Sequence, residues 1–178
     1  MDSMNKKALL ICDMLNDFVR KGAPLEAPGA TDIIPNIRRE MENARRDKVP
    51  IIYICDSHVS DDPEMNVWPL HAIKGTNGAE IIAELAPDRN DIIIEKTRYD
   101  AFYQTNLEAK LQQLQITEII LTGVCTEICI HYTGSSAIMR GYRVAVPEDC
   151  VAGLEDANAS AALCMLKRVL QPQMNSQQ

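Results

Sequence analysis

The sequence predicts a three-layer α/β/α fold built on an open, mostly parallel sheet of five or six strands, a Rossmann-like arrangement. Three observations lead there. Five short apolar runs recur along the 178 residues. Amphipathic stretches of helical period lie between them. Strands that alternate with helices form right-handed βαβ units, which makes the sheet parallel and covers both of its faces. The length suits one core, and residues 1–178 are read as a single domain with no linker, repeat or low-complexity tract.

The first apolar run, residues 8–12, is continuous, as expected of a strand buried on both faces. Residues 51–55, 92–94, 119–121 and 144–146 repeat the pattern. The helical stretches run over residues 32–46, with Pro35 in the first turn, over a short segment after Gly78, and over 106–114 with Thr105 as N-cap. Two more span 127–140, ending at Gly141, and 156–170. The final segment, 171–178, reads as a frayed tail. Residues 56–78 break the regularity with a long loop rich in Asp, Pro, Gly and His, and a loop of that length inside a compact domain is usually functional.

Composition narrows the function. A net charge of −7 disfavours nucleic acid, and the one basic cluster, Arg38, Arg39, Arg45 and Arg46, is interleaved with acids as on a solvated helix face. No apolar run approaches the roughly 20 residues of a membrane span, and the N-terminal stretch lacks the apolar region of a signal peptide. A cytoplasmic protein is expected. The six cysteines follow no disulfide or zinc-ribbon spacing. Cys12, Cys55 and Cys164 are read as reduced core residues, and Cys150 is left unassigned.

Ligands of open parallel sheets gather outside the carboxyl ends of the strands. The polar residues there are Asp13 after the first strand, Asp56 and His58 after the second, Lys96 after the third and the 123–129 segment after the fourth. Cys129 falls in the first turn of a helix, where a thiol gains thiolate character. A carboxylate, Asp13, and a lysine, Lys96, leave neighbouring strands on the same edge and could serve that thiol. Spacing alone equally allows a buried structural cysteine, with Asp13 as a cap and Lys96 in a salt bridge. Asp56, His58 and His71, with Glu64 between them, offer the donors of a first-row divalent metal site, although loop histidines of no special role fit the same spacing. His131 is read as packing or solvent-facing. Trp68, Phe18, Tyr99, Phe102 and Tyr103 put scarce aromatic rings on strand-exit loops, where a flat substrate could lie.

Four stretches together resemble the isochorismatase-like cysteine hydrolases, and within them the nicotinamidases. They are residues 11–18 (ICDMLNDF); Asp56-Ser57-His58 with 68–71 (WPLH) and 75–80 (GTNGAE); Glu95-Lys96 with Tyr99; and 123–129 (GVCTEIC). They occur in the family's order from about residue 8 to about residue 155. The resemblance implies a catalytic triad of Asp13, Lys96 and Cys129, and a cis peptide between Val124 and Cys125. It also implies an oxyanion site from the backbone N–H groups of Cys125 and Cys129, and a divalent metal, zinc with iron or manganese as alternatives, on Asp56, His58, His71 and Glu64. Ser57 stands where many nicotinamidases carry tryptophan, the loop is shorter than in several relatives, and the tail shows no sixth strand after the last helix.

These readings give an amidohydrolase that converts a small amide to acid and ammonia through a thioester. Nicotinamide, whose hydrolysis is a step of NAD salvage, is the expected substrate, and Phe18, Trp68 and Tyr99 are expected to bind it. An N-carbamoyl or ureido compound is the alternative. A non-enzymatic redox or metal-binding module using Cys125 and Cys129 is the rival from another class. The expected partners are the amide substrate and further copies of the chain, with no nucleic acid and no membrane.

Overall fold

Six parallel strands form the sheet in the computed structural model, which describes residues 6–170. They are β1 (Lys7–Cys12), β2 (Ile51–Asp56), β3 (Ile92–Lys96), β4 (Glu118–Val124), β5 (Arg143–Ala145) and β6 (Val151–Ala152). The order is β3-β2-β1-β4-β5, and β6 also pairs with β4. β5 joins the first half of β4, at Glu118–Ile120, and β6 joins its last residues, Gly123 and Val124. The sixth strand therefore precedes the last helix. The expected tail of residues 171–178 lies outside the described residues.

Alternation along β1 and β2 splits the core in two. Leu9, Ile11, Ile51 and Tyr53 pack on one face with α2 (Ile34–Arg46), while Ala8, Leu10, Cys12, Ile52 and Ile54 pack on the other with α3 (Leu107–Gln113) and α4 (His131–Met139). Burial on both faces is why these strands read as unbroken apolar runs. β3 is an edge strand, so it alternates instead: Ile94 and Lys96 are buried, and Ile93 is 52% exposed. α2 turns Ile34, Ile37, Met41 and Ala44 inward, and its basic face is paired with acids, Arg39 with Asp149 and Arg45 with Asp88 and Asp91. The cluster is thus a solvated, neutralised helix face.

Several local expectations change. The helix after Gly78 is two 3₁₀ turns, Asn77–Ala79 and Ala83–Leu85, because Pro and Gly leave no length for an α-helix. α1 (Asn16–Val19) is a single turn that periodicity over four residues cannot reveal. Thr105 sits one position before the N-cap Asn106, and its hydroxyl accepts the Leu107 N–H at 3.2 Å. The helix at 127–140 opens with a π-helical turn, Thr126–Ile130, before α4. The last helix is α5 (Asp156–Cys164) continued by a π-helical segment, Met165–Leu170. Cys164 lies on the outer side of α5 and is exposed, contrary to its reading as a core residue, whereas Cys12, Cys55 and Cys150 are buried. None of the six cysteines is paired. Among the described residues, no helix is long and apolar enough to cross a membrane.

The chain runs from β1 outward to β3, then returns to the other side of β1 to make β4. The connections reverse between β1 and β4, and that switch point is where such sheets leave a crevice. Gly123 lets the two strand ends meet. Its φ is +108°, and a Cβ there would lie 2.0 Å from the Cys12 carbonyl oxygen.

Candidate active site

Asp13 directly follows β1, Lys96 ends β3 and Cys129 lies in the π-helical turn after β4, so three parts of one sheet edge deliver them. The structure brings all three together, and all are buried. Lys96 Nζ is 2.9 Å from Asp13 Oδ2 and 3.4 Å from Cys129 Sγ, and it also contacts Asp56 Oδ1. Asp13 has φ 51°, a left-handed conformation that Asp tolerates better than most residues. Its Oδ1 accepts the backbone N–H of Asp56 at 2.8 Å. The Val124–Cys125 peptide is cis, and Cys125 caps the turn that carries Cys129.

Electrostatics corrects one expectation. Burial pushes the Cys129 thiol well above its ordinary value, against the opposing pull of Lys96. The helix start therefore does not by itself make a resting thiolate. Burial, with the Asp56 charge adding to it and Lys96 opposing, lifts the Asp13 carboxyl to about 6. Burial works against the Lys96 charge, but the Asp13 and Asp56 carboxylates outweigh it and hold the ammonium well above the usual lysine range. The arrangement is a protonated thiol beside a carboxylate of raised basicity and a fixed cation.

The second cluster is adjacent. Asp56, His58, Glu64 and His71 are all buried, and one donor atom from each lies within 4.8 Å of the others. Both ring nitrogens of His58 are buried without a hydrogen-bond partner. His71 Nδ1 lies 2.7 Å from the Pro69 carbonyl oxygen, which places its proton on Nδ1 and leaves Nε2 with a lone pair. Asp13, Asp56 and Cys129 also converge, but Lys96 already supplies the cation of that triangle. One ammonium cannot balance Asp13, Asp56 and Glu64 together, and buried carboxylates require compensation. Two imidazoles and two carboxylates with that surplus of negative charge fit a divalent first-row ion.

The two clusters share a small cleft, about 320 Å³ of empty space including its open mouth. Phe18, Trp68 and Tyr99 line it with Cys125 and Cys129. Trp68 Nε1–H donates to the Tyr99 hydroxyl at 2.9 Å, Tyr99 leans on Tyr132 with ring centroids 5.7 Å apart, and Phe18 meets the His71 ring edge-on at 5.5 Å. Phe102 and Tyr103 do not take part. Phe102 packs in the core of the opposite face under the Arg140 guanidinium, and Tyr103 is exposed. His131 is half-buried with its ring against Tyr132.

Sequence reasoning missed Leu25, Ile128 and Leu154, which complete the apolar wall, and the acids that hold the loop. Asp17 Oδ2 accepts the Ala72 N–H at 2.8 Å beside His71, in a space that only Gly78 leaves open, since a Cβ there would lie 2.1 Å from that oxygen. Asp62 caps the 3₁₀ turn Pro63–Asn66 that carries Glu64. Asp followed by Pro is a helix-start signature, so this one could have been found.

Residues 7–178 match the isochorismatase domain. The chain belongs to the isochorismatase family. Its fold overlays N-carbamoylsarcosine amidase from Thermoplasma acidophilum with a TM-score of 0.85, at 37% identity over 93% of this chain and 92% of that one. It overlays nicotinamidase PncA from Bacillus subtilis with a TM-score of 0.88, at 33% identity over 93% and 96% of the two chains. Pyrazinamidase of Pyrococcus horikoshii, solved in complex with zinc, gives a TM-score of 0.87 at 26% identity over 92% and 95%. As an isochorismatase-family member the chain is a hydrolase, in a family that acts on small amides. Relatives named for different amides stand at similar identity, so the family fixes the reaction class and leaves the substrate open.

Proposed function

We propose that the chain is a cysteine amidohydrolase whose preferred substrate is nicotinamide, released as nicotinate and ammonia. The observation that carries this reading is a single cleft lined by Cys129, by Asp56, Glu64 and His71 and by the rings of Phe18, Trp68 and Tyr99, with Asp13 and Lys96 beside the thiol and His58 completing the donor cluster.

Asp13 takes the thiol proton as Cys129 Sγ attacks the carbonyl carbon, so a C–S bond forms and the carbonyl pair moves onto oxygen. Hand-off to a base is needed because burial keeps the resting thiol protonated. A base near 6 is better matched to neutral pH than an ordinary carboxylate. Backbone N–H groups of Cys125 and Cys129 receive the oxyanion. Collapse breaks the C–N bond, and the proton on Asp13 passes to the departing nitrogen to give ammonia. Water then attacks the thioester, Asp13 takes its proton, and the C–S bond breaks to release the acid. Lys96 holds the two carboxylates and the sulfur in register and offsets the charge on sulfur. Asp56, His58, Glu64 and His71 would hold a divalent metal, zinc with iron or manganese as alternatives, and it supplies a Lewis-acid contact that orients a ring nitrogen. A relative of this fold solved in complex with zinc supports a metal here.

A ureido acid is the second reading, favoured by the amidase relative at 37% identity. Against it, no lysine or arginine is among the described residues that line the cleft, so an acid group would find no side-chain cation there. The deciding experiment is kcat/KM for nicotinamide, benzamide and N-carbamoylsarcosine, with and without a chelator. Preference for nicotinamide that collapses on chelation supports the proposal. Faster turnover of the carbamoyl compound, unaffected by chelation, overturns the substrate and leaves the cysteine chemistry standing. The six unpaired thiols agree with a cytoplasmic location as part of the same proposal.

A further inference from the structure

Two of the four members of the metal-ligand cluster stand on short local elements away from the strands of the sheet, His58 on a bridge to Ile73 and Glu64 on the 3₁₀ turn Pro63–Asn66. Asp56 is the last residue of β2, and His71 is fixed by the Pro69 carbonyl and the Asp17 anchor at Ala72. His58 and Glu64 lie between them; the His58 backbone is paired with Ala72 and Lys74, but neither side chain is set by the sheet. One side chain reaches both. Asp62 Oδ1 accepts the Glu64 N–H at 2.9 Å, which starts the 3₁₀ turn and sets where the Glu64 side chain begins. Asp62 Oδ2 faces His58 Nδ1 at 3.5 Å, while His58 Nε2 faces Asp56 Oδ2 at 3.7 Å on the opposite side of the ring. Asp62 is itself held. Arg98 Nη1 bonds both of its oxygens, at 3.0 and 3.2 Å, from the loop that leaves β3 two residues after Lys96. Asp62 is buried at 8% exposure.

We propose that Asp62, clamped by Arg98, is the positioning residue of this cluster: its carboxylate fixes the His58 tautomer so that Nε2 is the donor, and places Glu64 for coordination. The inference rests on the metal reading of the cluster. The physical reason is symmetry between the two imidazoles. An oxygen opposite Nδ1 favours the proton there and the lone pair on Nε2; the Pro69 carbonyl, 2.7 Å away, does this for His71, and the Asp62 carboxylate, 3.5 Å from His58 Nδ1 and just short of a hydrogen bond, is the oxygen placed to do it for His58. Arg98 has a second consequence. Asp62 adds a carboxylate beside Asp56 and Glu64, and a paired guanidinium keeps that charge from competing with the ligands for the cation. Because Arg98 follows Lys96 on the same strand exit, one short segment ties the metal-ligand loop to the nucleophile.

The test uses the full-length protein stripped of metal and titrated with Co²⁺ alone, reading affinity by calorimetry and coordination by the visible d–d bands. Asp62→Ala should weaken binding about 10- to 100-fold, the usual loss when an outer-shell partner of a histidine ligand is removed, and should alter the bands. Asp61→Ala is the control. It removes the same charge from the adjacent, exposed position, and it should change affinity by less than about threefold. Asp62→Asn keeps an oxygen to cap Glu64 but loses the anion facing His58, so it should fall between the two. The Asn variant carries the test if Asp62→Ala does not fold, as judged by circular dichroism. Asp62 variants that bind Co²⁺ as Asp61→Ala does, with unchanged bands, overturn the inference and leave the metal reading intact. A wild-type protein that binds no Co²⁺ overturns both, and that result is visible without any variant. The alkylation rate of Cys129 should be the same in all of these proteins, since none of the substituted groups touches the thiol.

Discussion

The two halves of the cleft are built by different means. Asp13, Lys96 and Cys129 come from strand ends and a helix start, so the register of β1, β2, β3 and β4 fixes their spacing before any side chain is considered. Asp56 shares that footing, but His58, Glu64 and His71 stand on a loop held by a short backbone bridge, His58 to Ala72 and Lys74, and by single side chains: Asp17 on Ala72, Asp62 on Glu64, and Trp68 on Tyr99. The first half is rigid because a whole sheet would have to move to change it. The second is held by a few hydrogen bonds, each contributing about 1 kcal/mol. Damage to the sheet half should therefore end turnover, whereas damage to the loop half should tune it.

The largest effect belongs to the sheet half. Cys129→Ala should abolish turnover while the melting temperature stays close to wild type, because the thiolate has no substitute and a small side chain is removed. Cys125→Ala should keep most activity, since only its backbone N–H is assigned a role. Steady-state rates and thermal melts of the two variants check this, and equal loss in both would remove Cys129 from the nucleophile's place.

Next come the groups around the sulfur. Asp13→Asn removes the proton acceptor and should lower kcat by roughly 10²–10⁴, the usual contribution of general acid–base catalysis. Lys96→Ala should lower it as far and also cost stability, about 3–5 kcal/mol, because the carboxylates of Asp13 and Asp56 lose their buried cation. Urea unfolding beside kinetics separates the two residues. Asp13→Asn that melts as low as Lys96→Ala, or either variant with a normal rate, would contradict a proton acceptor at Asp13 and a charge-balancing cation at Lys96.

The same contrast explains what the sequence made legible. β1, β2 and β4 announced themselves because burial on both faces leaves no polar position in the run. The exits of β1, β3 and β4 put Asp13, Lys96 and Cys129 on one sheet edge, but spacing left a structural cysteine equally open, and the triad came from the resemblance. β6 could not be seen, since two residues carry no periodicity, and its pairing to Gly123 and Val124 depends on where the chain returns. Hidden for the same reason were Leu25 and Leu154, brought to the cleft only by the fold. The rise in the Cys129 pKa ran against the helix-start argument, because sequence shows a position in a helix but not the depth of burial. Asp62 lay open in Asp-Pro yet was read as loop, since its partners His58 and Arg98 are 4 and 36 residues away.

Breaking the loop half should act on substrate choice more than on chemistry. Stripping metal, or His71→Ala, should lower kcat/KM for nicotinamide by roughly 10- to 100-fold, the scale of losing an orienting contact, and leave benzamide nearly unchanged, since benzamide offers no ring nitrogen. Cys129 should still be alkylated at the wild-type rate by iodoacetamide, because its partners are Lys96 and Asp13. Equal loss on both amides would mean that the cluster holds the loop together without selecting the ring. Equal loss of alkylation would mean that the two halves are one cooperative unit.

The smallest effect expected is at Trp68. Its indole lines the cleft, and its N–H is held by the Tyr99 hydroxyl at 2.9 Å. Trp68→Phe keeps a π face and removes that one bond, worth about 1 kcal/mol or roughly a fivefold change. Nothing in the proton relay touches the indole, so the loss should appear in KM and leave kcat within about twofold. Tyr99→Phe removes the same bond from the other side and should match it. The double variant should be no worse than either single change, because the bond can be lost only once. Additive losses would mean that each ring binds substrate through its own polar group rather than through a wall the two build together. A fall in kcat would place the aromatic wall in the chemistry, against a division in which the sheet half reacts and the loop half selects.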